Sequence, residues 1–218
     1  RQVMTVRNGK TVAEMDRRRG GARFGGIRME HTRIERDVLG EVELPENAMY
    51  GINTARALEN FPLGHKRTAM PLIYAMVTVK KAAALTYARL GVREDGIYQA
   101  IAAACDAILA GQYDDAFVTE ALQGGAGTST NMNVNEVVAN RAKQILQAQG
   151  KDLNVHPNDH VNHSQSSNDT FPTGLHMVGV LLIEEKLFPA MEALYQALRA
   201  KQEAFKDIVK IGRTHLQD

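Results

Sequence analysis

Two stretches of the sequence are rich in hydroxyl and amide side chains, and the first covers residues 123–136. It reads Gln-Gly-Gly-Ala-Gly-Thr-Ser-Thr-Asn-Met-Asn-Val-Asn-Glu. The glycines let the backbone approach a ligand closely, and Thr128 and Ser129 offer hydroxyls where a helix presents unpaired N–H groups. The pattern suits an anion, although it has neither the ending of a Walker loop nor the third glycine of a dinucleotide fingerprint. A glycine-rich turn that only caps the next helix is the open structural alternative.

The second stretch covers residues 155–170 and reads Val-His-Pro-Asn-Asp-His-Val-Asn-His-Ser-Gln-Ser-Ser-Asn-Asp-Thr. It runs into Pro172 and a long helical pattern, so its hydroxyl and amide groups are also predicted at a helix N-terminus. Two such ends could hold a small dicarboxylate. The spacing of His156, His160 and His163 could suggest zinc, but Pro157 disrupts the helix that would align them and no cysteine joins them. We therefore predict no metal and no cofactor.

The elements that position these stretches are predicted to be mostly helical. Residues 32–44 alternate apolar and charged side chains around Gly40, which indicates a small solvent-facing hairpin. Helices are then predicted for residues 71–90, from a cap at Asp95 to about Gly111, and for about 133–149.

A fourth helical pattern runs from about Phe171 to Phe205 and is the longest. Its apolar stripe is spaced by four, three and four residues at Leu187, Met191, Leu194 and Leu198. The stripe keeps its register past Pro189, which predicts a bend there rather than a break. A helix of this length cannot bury its stripe within so short a chain, so we expect a bundle partner from another subunit or from further sequence.

The charge is distributed unevenly along the 218 residues. Residues 1–28 carry eight Lys or Arg and two Asp or Glu, whereas the remainder carries 18 and 23. This basic segment lacks an apolar period and is interpreted as a flexible extension or an expression remnant, in preference to a nucleic-acid-binding arm. The longest apolar run, residues 177–183, is far shorter than the ~20 residues of a membrane span. The single Cys105 excludes an internal disulfide, and a cytoplasmic location is the expectation.

Three segments together resemble the active-site segments of the aspartase/fumarase superfamily of lyases. They are residues 124–136, the Ser-Gln-Ser-Ser-Asn-Asp of residues 164–169, and the Gly-Arg-Thr-His-Leu-Gln-Asp of residues 212–218. The resemblance begins at about Arg33 and leaves residues 1–28 outside it. It implies a mainly α fold, with an N-terminal helical domain that carries a small β-hairpin and the start of a long central helix bundle. The corresponding expected domains are residues 29–160 and 161–218.

The resemblance also implies the site and its chemistry. Members of this superfamily are homotetramers whose active sites are shared between subunits, and they perform anti elimination through an aci-carboxylate intermediate. On this basis Thr128, Ser166 and Ser167 are expected to hold the substrate carboxylate beside the carbon that loses its proton. The other expected site residues, which contact the rest of the substrate, are Asn168, Thr214 and His215. His215 is the expected catalytic residue.

Two activities compete within the superfamily. Residues 122–128 and the Met-Tyr-Gly of residues 49–51 resemble aspartase, whereas the His-Pro-Asn-Asp of residues 156–159 resembles an accessory dicarboxylate site of fumarases. Because the first loop lies beside the substrate, we expect an aspartate ammonia-lyase that converts L-aspartate to fumarate and ammonia. Class II fumarate hydratase activity is the alternative, and a non-catalytic structural bundle, as in a lens protein of the same fold, is a remote one.

The catalytic serine loop of the superfamily, Gly-Ser-Ser followed by Met-Pro, has no match in these residues. The resemblance therefore implies that this chain is an N-terminal part of a longer protein. We expect it to be inactive alone.

Overall fold

The computed structural model describes residues 31–64, 66–93 and 95–216. The predicted basic extension at residues 1–28 lies outside the described residues. The domain division at residue 160 stays a prediction.

The described chain begins with the predicted hairpin. Strand β1 (Thr32–Asp37) pairs antiparallel with β2 (Gly40–Pro45), and the register places Asp37 opposite Gly40. The chain therefore reverses at Val38 and Leu39, both exposed. Inward and outward side chains alternate along both strands, as the alternating sequence predicts.

Six helices follow in the described part of the chain, and together they confirm the mainly α prediction. They are α1 (Ile52–Asn60), α2 (Met70–Arg89), α3 (Ile97–Leu109), α4 (Thr128–Ala148), α5 (Ser167–Leu182) and α6 (Phe188–Ala204). A 3-10 turn covers Asp114–Ala116, and π-helical turns cover Pro157–Val161 and Ile183–Leu187. Within the described ranges, none of these helices is long and apolar enough to cross a membrane.

The hydrophobic core lies between α2, α3 and α4, with the first half of α5 packed against α2. The apolar faces of these helices supply the largest buried side chains: Ile73, Met76, Val77, Ile97, Tyr98, Ile101, Ile108, Val134, Val137 and Leu146. Ile73 and Val77, Ile97 and Ile101, and Val134 and Val137 are spaced by three or four residues, so the burial follows from the helical period. Cys105 is buried on α3 within this core.

Helix α5, the second π-helical turn and α6 form one uninterrupted helical path from Ser167 to Ala204. The π-helical turn ends directly before Phe188 and Pro189, so the helix continues through the proline, as predicted. Every described residue from Val180 to Leu216 is exposed. At 1.5 Å per residue this path extends about 55 Å, and its second half projects away from the core.

Candidate functional site

More of the first polar stretch is helical than the sequence predicts. Helix α4 begins at Thr128 rather than near Asn133, because Gly127 adopts a left-handed φ of 74° and turns the chain directly into the helix. Gln123 secures this turn: its Oε1 accepts from the Thr130 N–H at 3.0 Å, and its Nε2 donates to Thr130 Oγ1 at 2.6 Å. Thr128 is therefore the first helical residue, with an exposed side chain.

The second polar stretch ends in the same way. Helix α5 begins at Ser167 rather than near Phe171, because Ser166 is its N-cap and accepts a hydrogen bond from the Asn168 N–H at 3.2 Å. The ring of Phe171, one turn into α5, lies directly against the Cα of Gly127. This contact fixes the start of α5 against the start of α4.

The two helix starts bring their hydroxyl groups together. The distance between Thr128 Oγ1 and Ser167 Oγ is 3.4 Å, and Ser167 is half-buried. This distance exceeds that of a good O–H···O hydrogen bond, so both hydroxyls remain free to donate to a common acceptor. A helix N-terminus carries a partial positive charge of about half a unit, and two of them meet here. The arrangement favours a small anion, with uncharged donors around it.

Thr128 also lines an open groove with a volume of about 770 Å³. The hairpin, α1, the first turns of α4 and the turn that carries His156 form its walls. A four-carbon diacid is much smaller than this groove, so Thr128 is accessible to such a ligand from solvent.

The ring nitrogens of the three histidines of the second stretch have different hydrogen-bond partners. His156 Nδ1 accepts from the Asn158 and Asp159 N–H groups, whereas His160 Nδ1 accepts from the His156 N–H at 2.9 Å. His163 Nδ1 lies 2.6 Å from the Tyr98 hydroxyl. Burial, and next the nearby Arg93 guanidinium, lower the pKa of His160. Among the residues that the structure describes, no cluster of three His, Cys, Asp or Glu has the geometry to hold a metal ion.

The expected site residues of the third segment lie elsewhere in the chain. Thr214 and His215 are exposed and follow the far end of α6, whereas Ser167 begins α5. Eleven residues separate Ala204 from His215 and span at most about 38 Å, which is less than the ~55 Å of the helical path. Within one chain, Thr214 and His215 therefore cannot join Thr128 and Ser167. Ser166 and Asn168 lie beside Ser167, with exposed side chains.

A buried polar network, which the sequence reasoning missed, connects the starts of α4 and α5. The amide oxygen of Asn162 accepts from Lys80 Nζ at 2.7 Å, from Asn131 Nδ2 at 3.2 Å and from Asn135 Nδ2 at 3.1 Å. Lys80 Nζ also donates to Gln165 Oε1 at 3.0 Å. Asn131 and Asn135 lie on the first turns of α4, so the network connects α2, α4 and the turn before α5.

Because Lys80 is buried, the free energy of unfolding is expected to depend on pH. The lysine side chain is fully buried, and this burial lowers the pKa of Lys80 from an ordinary value of 10.5 to about 7. Between these two values the unfolded chain binds a proton that the native chain does not, so stability rises with pH across the window. The gain approaches about 1.4 kcal/mol per pH unit at most and is absent below pH 7.

Urea unfolding at several pH values between 6 and 10 measures this effect as the difference between the native chain and Lys80→Met. We expect the native chain to gain stability relative to the variant as the pH rises. Parallel curves for the two proteins would show that Lys80 titrates normally.

Glu136 on α4 is a second buried residue whose role the sequence reasoning missed. Its carboxylate accepts five hydrogen bonds at 2.6–3.1 Å from the backbone N–H groups of Gly51, Asn53 and Thr54 and from the side chains of Asn53 and Thr54. These donors form the N-terminus of α1, which lacks a cap from its own sequence. Glu136 therefore caps α1 from another helix and fixes this wall of the groove to α4.

Glu136→Gln is expected to lower the free energy of unfolding by about 2–4 kcal/mol, because the amide turns an N–H group toward donors and loses the charge. Urea unfolding measures the loss. Glu59→Gln, an exposed glutamate near the end of α1, is the matched control and should stay within about 0.5 kcal/mol. An equal, small effect for both variants would mean that Glu136 does not hold α1.

Comparison with known proteins identifies the relatives of this chain. A family model described as Lyase matches residues 40–218. The chain is 50% identical over 186 residues to fumarate hydratase class II from Bacillus subtilis. The aligned residues cover 85% of this chain and 40% of that protein. This chain is 49% identical over 191 residues to fumarate hydratase class II from Nitrosomonas europaea, with coverages of 87% and 41%. The chain thus spans about two fifths of the length of these curated relatives.

Solved structures give the same fold. A class II fumarase from Schistosoma mansoni matches with a TM-score of 0.80 and 38% identity, over 86% of this chain and 40% of that one. A fumarate lyase:delta crystallin from Brucella melitensis matches with a TM-score of 0.78 and 44% identity, over 86% of this chain and 44% of that one.

These findings correct the expected activity. The aspartate ammonia-lyase prediction is wrong, because the relatives at about half identity are fumarate hydratases, and the alternative fits better. The prediction rested on a few residues of the first loop, whereas an amine and a hydroxyl leaving group differ in only a few contacts. The resemblance of the His-Pro-Asn-Asp turn to fumarases was the better guide. The superfamily itself is confirmed: this chain belongs to the aspartase/fumarase superfamily of lyases.

Proposed function

We propose that this chain forms part of the active site of a class II fumarate hydratase, which interconverts fumarate and malate. The observation that carries the proposal is the pair of hydroxyls, Thr128 Oγ1 and Ser167 Oγ, 3.4 Å apart at two helix N-termini. The half identity to a fumarate hydratase supports the choice of reaction within the superfamily.

The chemistry explains why uncharged donors suit this site. In the direction from malate to fumarate, a base removes the proton from the carbon next to one carboxylate. The electron pair moves into that carboxylate and gives an aci-carboxylate, after which the C–O bond breaks and hydroxide leaves, protonated, as water. Negative charge therefore grows on the carboxylate during the reaction. Fixed hydroxyl and N–H donors bind this charge more tightly in the transition state than in the substrate.

Within this proposal the residues of the two helix starts take the role of carboxylate binding. Thr128, Ser166 and Ser167 hold the carboxylate that receives the charge, and Asn168 contacts the rest of the substrate. A neutral serine or threonine without an adjacent base is a weak proton acceptor, so we assign no proton abstraction to these three hydroxyls.

Thr214 and His215 complete the site in this proposal only from a neighbouring copy, because they cannot reach Ser167 within one chain. The exposed stripe that runs from the end of the second π-helical turn along α6 supports assembly: Leu187, Met191, Leu194 and Leu198 are 49–61% exposed. Such a continuous apolar stripe on a projecting helix favours a helix bundle between copies, and a homotetramer is the proposed form. Sedimentation equilibrium of the chain tests this assembly. A cytoplasmic location stays a prediction.

A chimera provides the test of the reaction. In it, residues of this chain replace the aligned 186-residue segment of the Bacillus subtilis enzyme. We expect the chimera to consume fumarate, followed by its ultraviolet absorbance, and to leave aspartate unchanged. The unaltered Bacillus enzyme is the control for assay and assembly. A folded chimera that deaminates aspartate but does not hydrate fumarate would overturn the proposal.

A further inference from the structure

Lys80 has an unusual environment for a lysine. Its side chain is fully buried on the face of α2 that otherwise carries Ile73, Val77 and Ala84. Among the described residues no carboxylate lies within ion-pair distance of its Nζ. Its polar partners are the neutral amides of Asn162 and Gln165. An ammonium buried without a counter-ion is costly, and an apolar residue would suit this face better for stability alone.

The partners of Lys80 belong to the turn that leads into the proposed carboxylate site. Asn162 Nδ2 donates to the Gln165 carbonyl at 2.8 Å, and the Gln165 N–H donates to the Asn162 carbonyl at 3.0 Å. Lys80 Nζ donates a hydrogen bond to each of the two side chains of this turn. Ser166 and Ser167 follow directly, so the orientation of the turn sets the position of the Ser167 hydroxyl.

The same amide oxygen of Asn162 connects the turn to the other helix start. It accepts from Asn131 and Asn135, which lie one and two turns along α4 from Thr128. Asn131 Oδ1 in turn accepts from the buried Thr170 hydroxyl of α5 at 3.2 Å. Because three donors converge on one oxygen, the loss of Lys80 leaves the Asn162 amide oxygen with only the two longer hydrogen bonds from α4.

We propose that Lys80 is a positioning residue, which fixes the Asn162–Gln165 turn and thereby sets the Ser167 hydroxyl against that of Thr128. Its part in catalysis rests on the proposed function, whereas its part in positioning does not. The lowered pKa of Lys80 agrees with this environment. The groups that face Lys80 are the Cys105 thiol on α3, whose own pKa burial raises to about 12, and the neutral amides of Asn162 and Gln165. At neutral pH, Lys80 is therefore the titrating group in this cluster.

The first test follows the positions of Ser167 and Asn168 in the 218-residue chain by amide NMR. Lys80→Met keeps the length and apolar character of the side chain but removes both hydrogen bonds. We expect the Ser167 and Asn168 amide signals to shift and the Thr170 amide, bonded to the Ser166 carbonyl, to exchange faster. Lys81→Met removes the same charge from the next residue, whose partner is Asp106 on α3, and should leave these signals unchanged.

Two further variants separate positioning from general stability. Val77→Ala, one turn earlier on the same buried face, should lower stability without moving the Ser167 and Asn168 signals. Lys80→Met combined with Asn162→Ala should displace these signals by less than the sum of the two single variants, because Lys80 acts in part through its hydrogen bond to Asn162. Unchanged Ser167 and Asn168 signals in Lys80→Met would overturn the proposal, whatever its effect on stability.

A third measurement uses the native chain, so it does not depend on whether a variant folds. The Ser167 and Asn168 amides should titrate with the same midpoint as the Cε signal of Lys80, and different midpoints would contradict the coupling. In the active chimera, Lys80→Met should lower kcat/KM for fumarate roughly 10- to 100-fold, while Lys81→Met should change it less than about twofold. If the chimera hydrates no fumarate, the proposed function fails, and the NMR result still decides the positioning role.

Discussion

Replacing Thr128 by alanine is expected to lower the rate of fumarate hydration about 10²- to 10³-fold and to leave the free energy of unfolding almost unchanged. In the proposed function its hydroxyl donates to the carboxylate on which charge accumulates, so its loss acts on the transition state. The same side chain is exposed, and its removal buries no polar group and opens no cavity. The rate is measured on the chimera, and the stability by urea unfolding of the 218-residue chain.

Thr86→Ala is the matched control for Thr128→Ala. Thr86 is also an exposed helical threonine, and its hydroxyl donates to the Ala82 carbonyl at 2.8 Å, far along α2. This variant should change neither rate nor stability appreciably. If Thr128→Ala lowered stability and activity in parallel, the start of α4 would be a structural turn, which is the alternative that the sequence leaves open.

Gly127→Ala is expected to be among the most destabilising small substitutions in the chain, at about 2–5 kcal/mol. Two costs add here. A φ of 74° is unfavourable for a residue with a Cβ by about 1–2 kcal/mol, and overpacking costs about 1–3 kcal/mol more. A Cβ at this position would lie near the ring of Phe171, far inside van der Waals contact. Because Phe171 cannot move without shifting α5, activity in the chimera should be lost as well.

Gly150→Ala separates the two costs. Gly150 has the same φ of 74°, but no atom lies within 4 Å of the Cβ position. This variant should therefore show only the backbone cost of about 1–2 kcal/mol, with activity retained. Equal losses of stability for both variants, measured by urea unfolding, would show that Phe171 adapts and that the contact with Gly127 does not hold the two helix starts together.

Much of the scaffold could be predicted from periodicity, since the hairpin and the helices near residues 71–90 and 95–111 lie where the apolar spacing indicates. The starts of α4 and α5 could not, and they are the part that forms the site. The first residues of the two helices, Thr128–Asn131 and Ser167–Thr170, are polar, so the apolar pattern begins only after them. Gly127 and the Ser166 cap decide where these helices begin.

The buried polar groups were the least predictable. Lys80 lies three residues after Val77, at a position where the spacing of α2 predicts an apolar side chain. A lysine at such a position is the signal that could have identified it. Its partner Asn162 lies 82 residues away, as does Glu136 from Thr54, and no local pattern pairs residues across such separations. The choice of reaction failed for a related reason: a few loop residues carry less information than 186 aligned ones.

A crystal structure of the chimera with malate bound tests the central claim most directly. We expect one carboxylate of malate to lie with an oxygen about 2.5–3.0 Å from both Thr128 Oγ1 and Ser167 Oγ. His215 should reach the same ligand from a neighbouring copy. Malate bound elsewhere, with both hydroxyls facing only solvent, would contradict the account.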